Sequence, residues 1–302
     1  MAVNSLVGEL ERIAHGYVLV EGPVPGDEDG VYFADVRQGG IYHVLPGQPA
    51  RCVIEHRRGI GGMVSNSDGG FVVSGRNLAV KWFDQGTTII ADRDEEAGRF
   101  LYNDLTTDPE GRIYVGTFAT NEPFEVDAQG RTGALHMIDL DGSITVVDDD
   151  YIAPNGMAFS PDGSLLYVNE TGRRTLWRYE VRKPGELTAK TAFHEFGQDS
   201  SPDGMATAAD GTIWIAMANP SGVMVLSPGG DLLEMIPVPS PMVASLCFGG
   251  RDNRTIFVCT GSHGPSGEDG HGGVFYGRAS VAGNPVSPAR IVTGSAGAPR
   301  DK

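Results

Sequence analysis

Cysteine is nearly missing: Cys52, Cys247 and Cys259 are the only three in 302 residues. The number is odd, no CxxC pair occurs and no histidine stands at zinc-finger spacing. A disulfide framework and a Cys/His zinc module are therefore excluded, and the sequence reads all three as buried apolar thiols. Positive charge is also scarce, with 23 Lys and Arg against 39 Asp and Glu for a net charge of −16. A phosphate backbone demands clustered basic side chains, so nucleic acid is excluded as a partner. The acidity fits cation binding, but a solvated surface that keeps a chain soluble is the commoner reason for it. No apolar run approaches the roughly 20 residues of a membrane span. Residues 1–11 lack the basic start and apolar stretch of a secretory signal, so the expected location is the cytoplasm, away from membranes. Runs of Ala, Leu, Glu and Lys at helical spacing are missing as well, which argues against a helical architecture.

The sequence is rich instead in glycine, 43 residues, and carries 19 prolines, the composition of short strands joined by tight turns. The turns recur. DEDG ends at Gly30, NSDG at Gly69, DPEG at Gly111, SPDG at Gly163, AADG at Gly211 and a degenerate GGRDN at Asn253, each followed by a β-type run such as VYFADV, IYVGTF or IWIAMA. The steps between those end points are 39, 42, 52, 48 and 42 residues, close to the length of four strands with their turns. Hairpin signals PGQP, DQGT, DLDGS, KPGE and SPGGD fall between them, as the outer strands of each unit require. The expected fold is all-β: a six-bladed β-propeller with four-stranded antiparallel blades, a single domain over residues 1–302 with residues 296–302 as a flexible tail. Residues 13–20 near the start, and 273–276 with 290–292 near the end, are expected to pair within one blade and close the ring, which would remove both free edges.

Eight residues before each turn's end, at the start of the strand ahead of the turn, stand Gly61, Asn103, Asn155, Asp203 and Ser245. In the first unit, whose turn carries one extra residue, the matching position is Glu21. If these strands line the channel, the six positions form a ring at its mouth with two carboxylates and two carboxamides. Those are the oxygen ligands that hard divalent cations take. A solvated turn explains PNG at Asn155 or PDG at Asp203 singly, whereas four polar residues in register across the repeats favour a binding ring. The strands after each turn return to the same face and bring Arg76, Phe118, Glu170, Asn219 and His263 near the mouth. Glu122, Phe124 and His271 fall on longer loops above it, where propellers vary specificity. The Gly-rich stretch 262–273 reads as a lid or as an ordinary surface loop; His15, His136 and His194 show no metal spacing and read as structural.

These motifs carry a resemblance. EGP at Glu21, YNDL over residues 102–105 ahead of DPEGRIYVGTF, PNGMAFSPDGSLLYVNET, SPDGM and PVPSPMVASLCFGGRDNRTIFV make the chain similar, along nearly its full length, to the senescence-marker-protein, gluconolactonase and luciferin-regenerating-enzyme family. That resemblance implies a six-bladed propeller holding one divalent cation, Ca2+ first with Zn2+, Mn2+ or Mg2+ as alternatives, and hydrolysis of a lactone by activated water. Carried across residue by residue, it implies Glu21, Asn155 and Asp203 as metal ligands, with Asn103 joining them or contacting the substrate. Asp203 is the candidate general base as well, or a ligand only. Substrate contacts are expected from Arg76, Tyr102, Phe118, Glu122, Phe124, Glu170 and His263.

One departure bears on the substrate. In sugar-lactone members of the family an arginine stands two residues before the position of Asn103; here that residue is Leu101, and Arg99 lies too far back to replace it. Beside Tyr102, Phe118 and Phe124, the change points to a lactone less polar than an aldonolactone. The same ligand set is similar to the calcium site of phosphotriesterase and paraoxonase propellers, so an organophosphate or aryl-ester hydrolase is one alternative. A non-catalytic propeller with a binding rim is another; a condensing enzyme of the strictosidine-synthase type has no positive support in the residues. The expected partner is a small-molecule lactone or ester, and the expected state a monomer or small homo-oligomer.

Overall fold

A computed structural model of the chain describes residues 5–97, 99–121, 130–262 and 270–291. Six antiparallel sheets follow one another. Blade 1 is a meander of Val20–Pro25, Val31–Asp35, Ile41–Val44 and Arg51–Ile54. Blades 2, 3 and 5 repeat it, with innermost strands Met63–Ser65, Leu101–Thr107 and Ser201–Thr207. Blade 4 begins with Pro154–Phe159 and carries an addition: its strand Thr175–Lys183 pairs with both Glu186–Leu187 and Thr191–Glu195. Blade 6 begins with Met242–Gly249, and its outer edge is Glu11–Tyr17, paired to Gly272–Arg278. The ring is thus closed by terminal strands within one blade, as the sequence suggests, though residues 290 and 291 add no strand to it. Residue 292 and the tail 296–302 lie outside the described residues.

The innermost strands contact one another all the way round, blade 6 meeting blade 1, and so enclose a channel. Second strands such as Ile113–Phe118 and Ile213–Asn219 are buried almost throughout because both of their faces meet neighbouring blades; that is why they read as continuous β-branched and aromatic runs. The apolar core is correspondingly divided. Trp214, Phe248 and Ile256 pack between blades 5 and 6, Tyr114, Tyr151 and Phe159 between blades 3 and 4, and similar clusters fill the other four seams. The turns of blades 2 to 5 end on glycine because the chain there takes a left-handed conformation, φ +70° at Gly163 and +84° at Gly211.

Residues 279–291 leave blade 6 and cross the end of the channel where the innermost strands finish. Gly283 donates to the carbonyl of Asn253, Asn284 to Thr207, Ala289 to Ser65 and Arg290 to Gly111, which ties blades 6, 5, 2 and 3 together. Asn284, Pro285 and Val286 close the bottom of an axial cavity of about 210 Å3. Its upper wall includes Gly22, Met63 and Asp104, at the end where the innermost strands begin.

The cysteines are unpaired, with Cys259 buried and Cys247 half-buried, but Cys52 is exposed. This corrects the expectation of three buried thiols: Cys52 lies on Arg51–Ile54, the outermost strand of blade 1, where one face meets solvent. Among the described residues no helix is long and apolar enough to cross a membrane.

Candidate functional site

The ring positions read from the repeat fall on innermost strands, except Gly61, which precedes Met63–Ser65. The strands are irregular just there. Glu21 pairs with Ala34 while Val24 pairs with Tyr32; Tyr102 pairs with Thr117 while Leu105 pairs with Val115. Pro154 with Glu170 and Met157 with Val168, and Pro202 with Met217 and Met205 with Ile215, repeat the pattern. Each time three steps along the innermost strand match two along its partner, a β-bulge at the same place in four blades. A bulge breaks the alternation of side chains and re-aims them. In blade 3 it brings Asp104, next to Asn103, into the wall of the axial cavity.

The residue after most ring positions is glycine, and crowding dictates it. A Cβ on Gly62 would lie 2.5 Å from Asp104 Oδ1 and 2.8 Å from its Cα, and a Cβ on Gly156 would lie 2.6 Å from Gly204 Cα. The neighbour of Gly156 is backbone and cannot swing aside. Gly156→Ala is therefore expected to cost about 1–3 kcal/mol of stability through overpacking, read as a lower urea midpoint with an unchanged slope.

The carboxamides use their donors on the protein. Asn103 Nδ2 donates to the Pro154 carbonyl at 2.9 Å and Asn155 Nδ2 to Thr171 Oγ1 at 3.2 Å; Asn155 also bonds the Asp203 carboxylate. Their oxygens are left as acceptors. Thr171 in turn donates to the Pro202 carbonyl at 2.7 Å and Asn169 Nδ2 to the Asp203 carbonyl at 2.7 Å, so blade 4 fixes the strand that carries Asp203. Such outer contacts hold ligand atoms in place.

Three carboxylates interact inside the channel mouth. Burial raises Glu21 well above the ordinary carboxylate range, and Asp203 and then Asp104 add to the effect; the Gly22 N–H opposes it. Burial likewise lifts Asp203 to about 8, with Asp104 adding, against hydrogen bonds from Asn155 and the Gly204 N–H. Asp104 is pushed up to about 7 by burial, opposed only by its bond from the Leu105 N–H at 2.8 Å. Among the described residues no arginine, lysine or histidine pairs with any of the three. Like charges in a poorly solvated site cannot all ionise without a compensating cation. No group of three or more His, Cys, Asp and Glu among the described residues is arranged to hold a metal by itself; a cation here needs the Asn103 and Asn155 oxygens too. An all-oxygen set of that kind fits a hard divalent ion.

The other predicted residues divide. Leu101 pairs with Phe118 at the mouth end of blade 3, both half-buried. Arg76 is exposed in the loop after the second strand of blade 2, and Asn219 ends the second strand of blade 5, bonding the Asp199 carbonyl. Tyr102 is no substrate contact: it is 2% exposed, packs in the seam between blades 2 and 3 and donates to the Asp92 carbonyl at 3.0 Å. Glu170 likewise faces away from solvent at 0% exposure, its oxygens taken by Trp177 Nε1 at 2.6 Å, Arg173 Nη1 at 2.8 Å and the Ile152 N–H. It braces the loop before Asn155. Glu122, Phe124 and His263 lie outside the described residues, and His271 is exposed just before the strand Gly272–Arg278 of blade 6.

Fold and site together define a class, a six-bladed propeller with an acid-and-amide ring at one end of its axis. Residues 19–262 match the SMP-30/gluconolactonase/LRE-like region, and the chain belongs to that family. A pentonolactonase, XacC, of Haloferax volcanii is 32% identical over 275 residues, 87% of this chain and 89% of that protein. A 6-deoxy-6-sulfogluconolactonase of Pseudomonas putida is 29% identical over 246 residues, 80% of this chain and 82% of that protein. The structure of luciferin-regenerating enzyme superposes with a TM-score of 0.82 at 21% identity, covering 94% of this chain and 99% of that one, a likeness of fold.

Proposed function

We propose that this chain is a lactonase that holds one divalent cation, calcium foremost, through Glu21, Asn155 and Asp203 with Asn103 beside them. The observation that supports it most is the set of three interacting carboxylates with no basic partner among the described residues, next to two carboxamide oxygens left free. The naming of two relatives as lactonases adds the substrate class. When bound, the cation supplies Lewis acidity toward the lactone carbonyl and its developing negative charge. Asn103 and Asn155, anchored through their Nδ2 atoms, keep their oxygens in fixed positions. Asp203 takes a proton from the attacking water and returns it to the alkoxide that leaves as the ring opens. Glu21 and Asp104 hold the negative potential that retains a cation.

The substrate is less polar than an aldonolactone on the side facing blade 3, where the half-buried Leu101 and Phe118 form the wall. The test is hydrolysis of gluconolactone, γ-valerolactone and an aryl phosphotriester before and after chelation. The expected result is lactone turnover that disappears with chelator and returns with Ca2+ or Zn2+, with γ-valerolactone preferred to gluconolactone. Turnover indifferent to chelation rejects the cation. A clear preference for gluconolactone rejects the apolar wall, and faster cleavage of the phosphotriester would favour the organophosphatase reading.

A further inference from the structure

Beside the ring, the rim between blades 4 and 5 carries an open cleft of about 550 Å3, lined by Ile152, Thr171, Arg174, Gln198, Asp199 and Ser201 with their neighbours. It adjoins the ring directly, since Thr171 accepts the Asn155 amide and Ser201 lies two residues before Asp203. Arg174 is the feature that sets this cleft apart. Among the described residues it is the one half-buried cationic side chain with no hydrogen bond, ion pair or ring contact of its own. Its neighbour Arg173 is fully engaged with Glu170 and Asp150, and the other half-buried arginines are paired, bonded to carbonyls or stacked on rings. In a chain of net charge −16, with the Asp199 carboxylate lining the same cleft, a guanidinium left unpaired is available to a ligand. Its backbone is fixed, the N–H donating to Thr171 O and the carbonyl accepting from the Phe196 N–H. Around it Gln198, Ser200 and Ser201 carry amide and hydroxyl groups able to donate, and the exposed Asp199 carboxylate forms no ion pair with Arg174.

We infer that this cleft is an oxyanion subsite, in which Arg174 takes a carboxylate-type group carried by the lactone. A planar guanidinium recognises such a group in two-pronged fashion. The inference rests on the lactonase reading for the identity of the ligand, though not for the existence of the subsite. The substrate is then two-sided, apolar toward blade 3 and anionic toward blades 4 and 5.

The probes are 5-oxotetrahydrofuran-2-carboxylate, its uncharged counterpart γ-valerolactone, and 2-hydroxyglutarate, the ring-opened form of the first. Arg174→Ala is expected to lower kcat/KM for the carboxylate-bearing lactone by about tenfold to a hundredfold, mainly through KM, with a loss at least tenfold smaller for γ-valerolactone. Asp199→Asn removes a competing negative charge and is expected to tighten 2-hydroxyglutarate binding, measured by calorimetry. Equal losses for both lactones would mean that Arg174 only supports the fold, and would overturn the subsite. So would weaker binding by Asp199→Asn, which points to a hydroxyl in the cleft rather than an anion. Should the chain hydrolyse no lactone, tighter binding of 2-hydroxyglutarate by the wild type than by Arg174→Ala upholds the subsite while the lactonase reading fails, and equal binding rejects it.

Discussion

Asp203→Asn is expected to lower lactone turnover by about 10²–10⁴-fold, the usual loss when a positioned general base is removed, while the fold and its unfolding midpoint are kept or improved. The two halves of that expectation come from one environment. Asp203 is pushed up to about 8 by burial and by Asp104, so without a cation its charge destabilises the folded state. Asparagine keeps an oxygen where the ligand oxygen was, still accepts the Gly204 N–H, and removes the charge. The Asp203 carbonyl stays bonded to Asn169, so the strand holds its place. What disappears is the basic oxygen. Calcium titration followed by calorimetry separates the roles: weaker but measurable binding with turnover lost assigns Asp203 as the base, and full turnover in a variant that still binds calcium rejects that role. Glu21→Gln is the comparison, because it removes a charge from the same site without touching the proposed proton acceptor.

Asp104 shows where reading the sequence stopped short. The repeat placed Glu21, Asn103, Asn155, Asp203 and Ser245 on innermost strands, since one period fixes both the blade and the register within it. Strict alternation would put Asp104 on the face opposite Asn103, and the bulge between Tyr102 and Leu105 breaks that alternation. A signal was present. Ring positions are followed by Gly22, Gly62, Gly156 and Gly204, in blade 3 by an aspartate and in blade 6 by Leu246, so Asp104 was the one charged residue in a column mainly of glycines. Glu170 erred in the opposite direction. Its position at the mouth end of a second strand was legible, but the strand buries it against Trp177, and periodicity alone does not tell which face meets solvent in a sheet covered on both sides. The crossing by residues 279–291 had no period to reveal it; its contacts are hydrogen bonds scattered over the ends of blades 2 to 6. Arg174 is invisible to the repeat for a related reason, because it stands in a loop whose φ of +55° follows no strand pattern.

The same carboxylates set how stability depends on pH once cations are removed. Asp104 at about 7 and Asp203 at about 8 lie above their unfolded values near 4, so between those limits the folded chain binds more protons than the unfolded one. Stability is then fully present near pH 4 and falls as pH rises toward 8. At the acid end the surface carboxylates of Asp162 and Asp252, held down to about 2 by hydrogen bonds from Ser160 and Arg278 respectively, work in the opposite direction, which confines the test to pH 5 to 8.5. In chelator the melting temperature is expected to fall across that range by several degrees, on the order of 5 °C or more. Saturating calcium is expected to restore most of the loss at pH 8, where the carboxylates are ready to bind it, and little at pH 5. Asp104→Asn should flatten the part of the decline below pH 7. Self-repulsion of the whole acidic surface would also lower stability with pH, but it would leave Asp104→Asn parallel to the wild type. A parallel profile in that variant, or equal calcium protection at both ends of the range, would mean that the three carboxylates do not share one charged site.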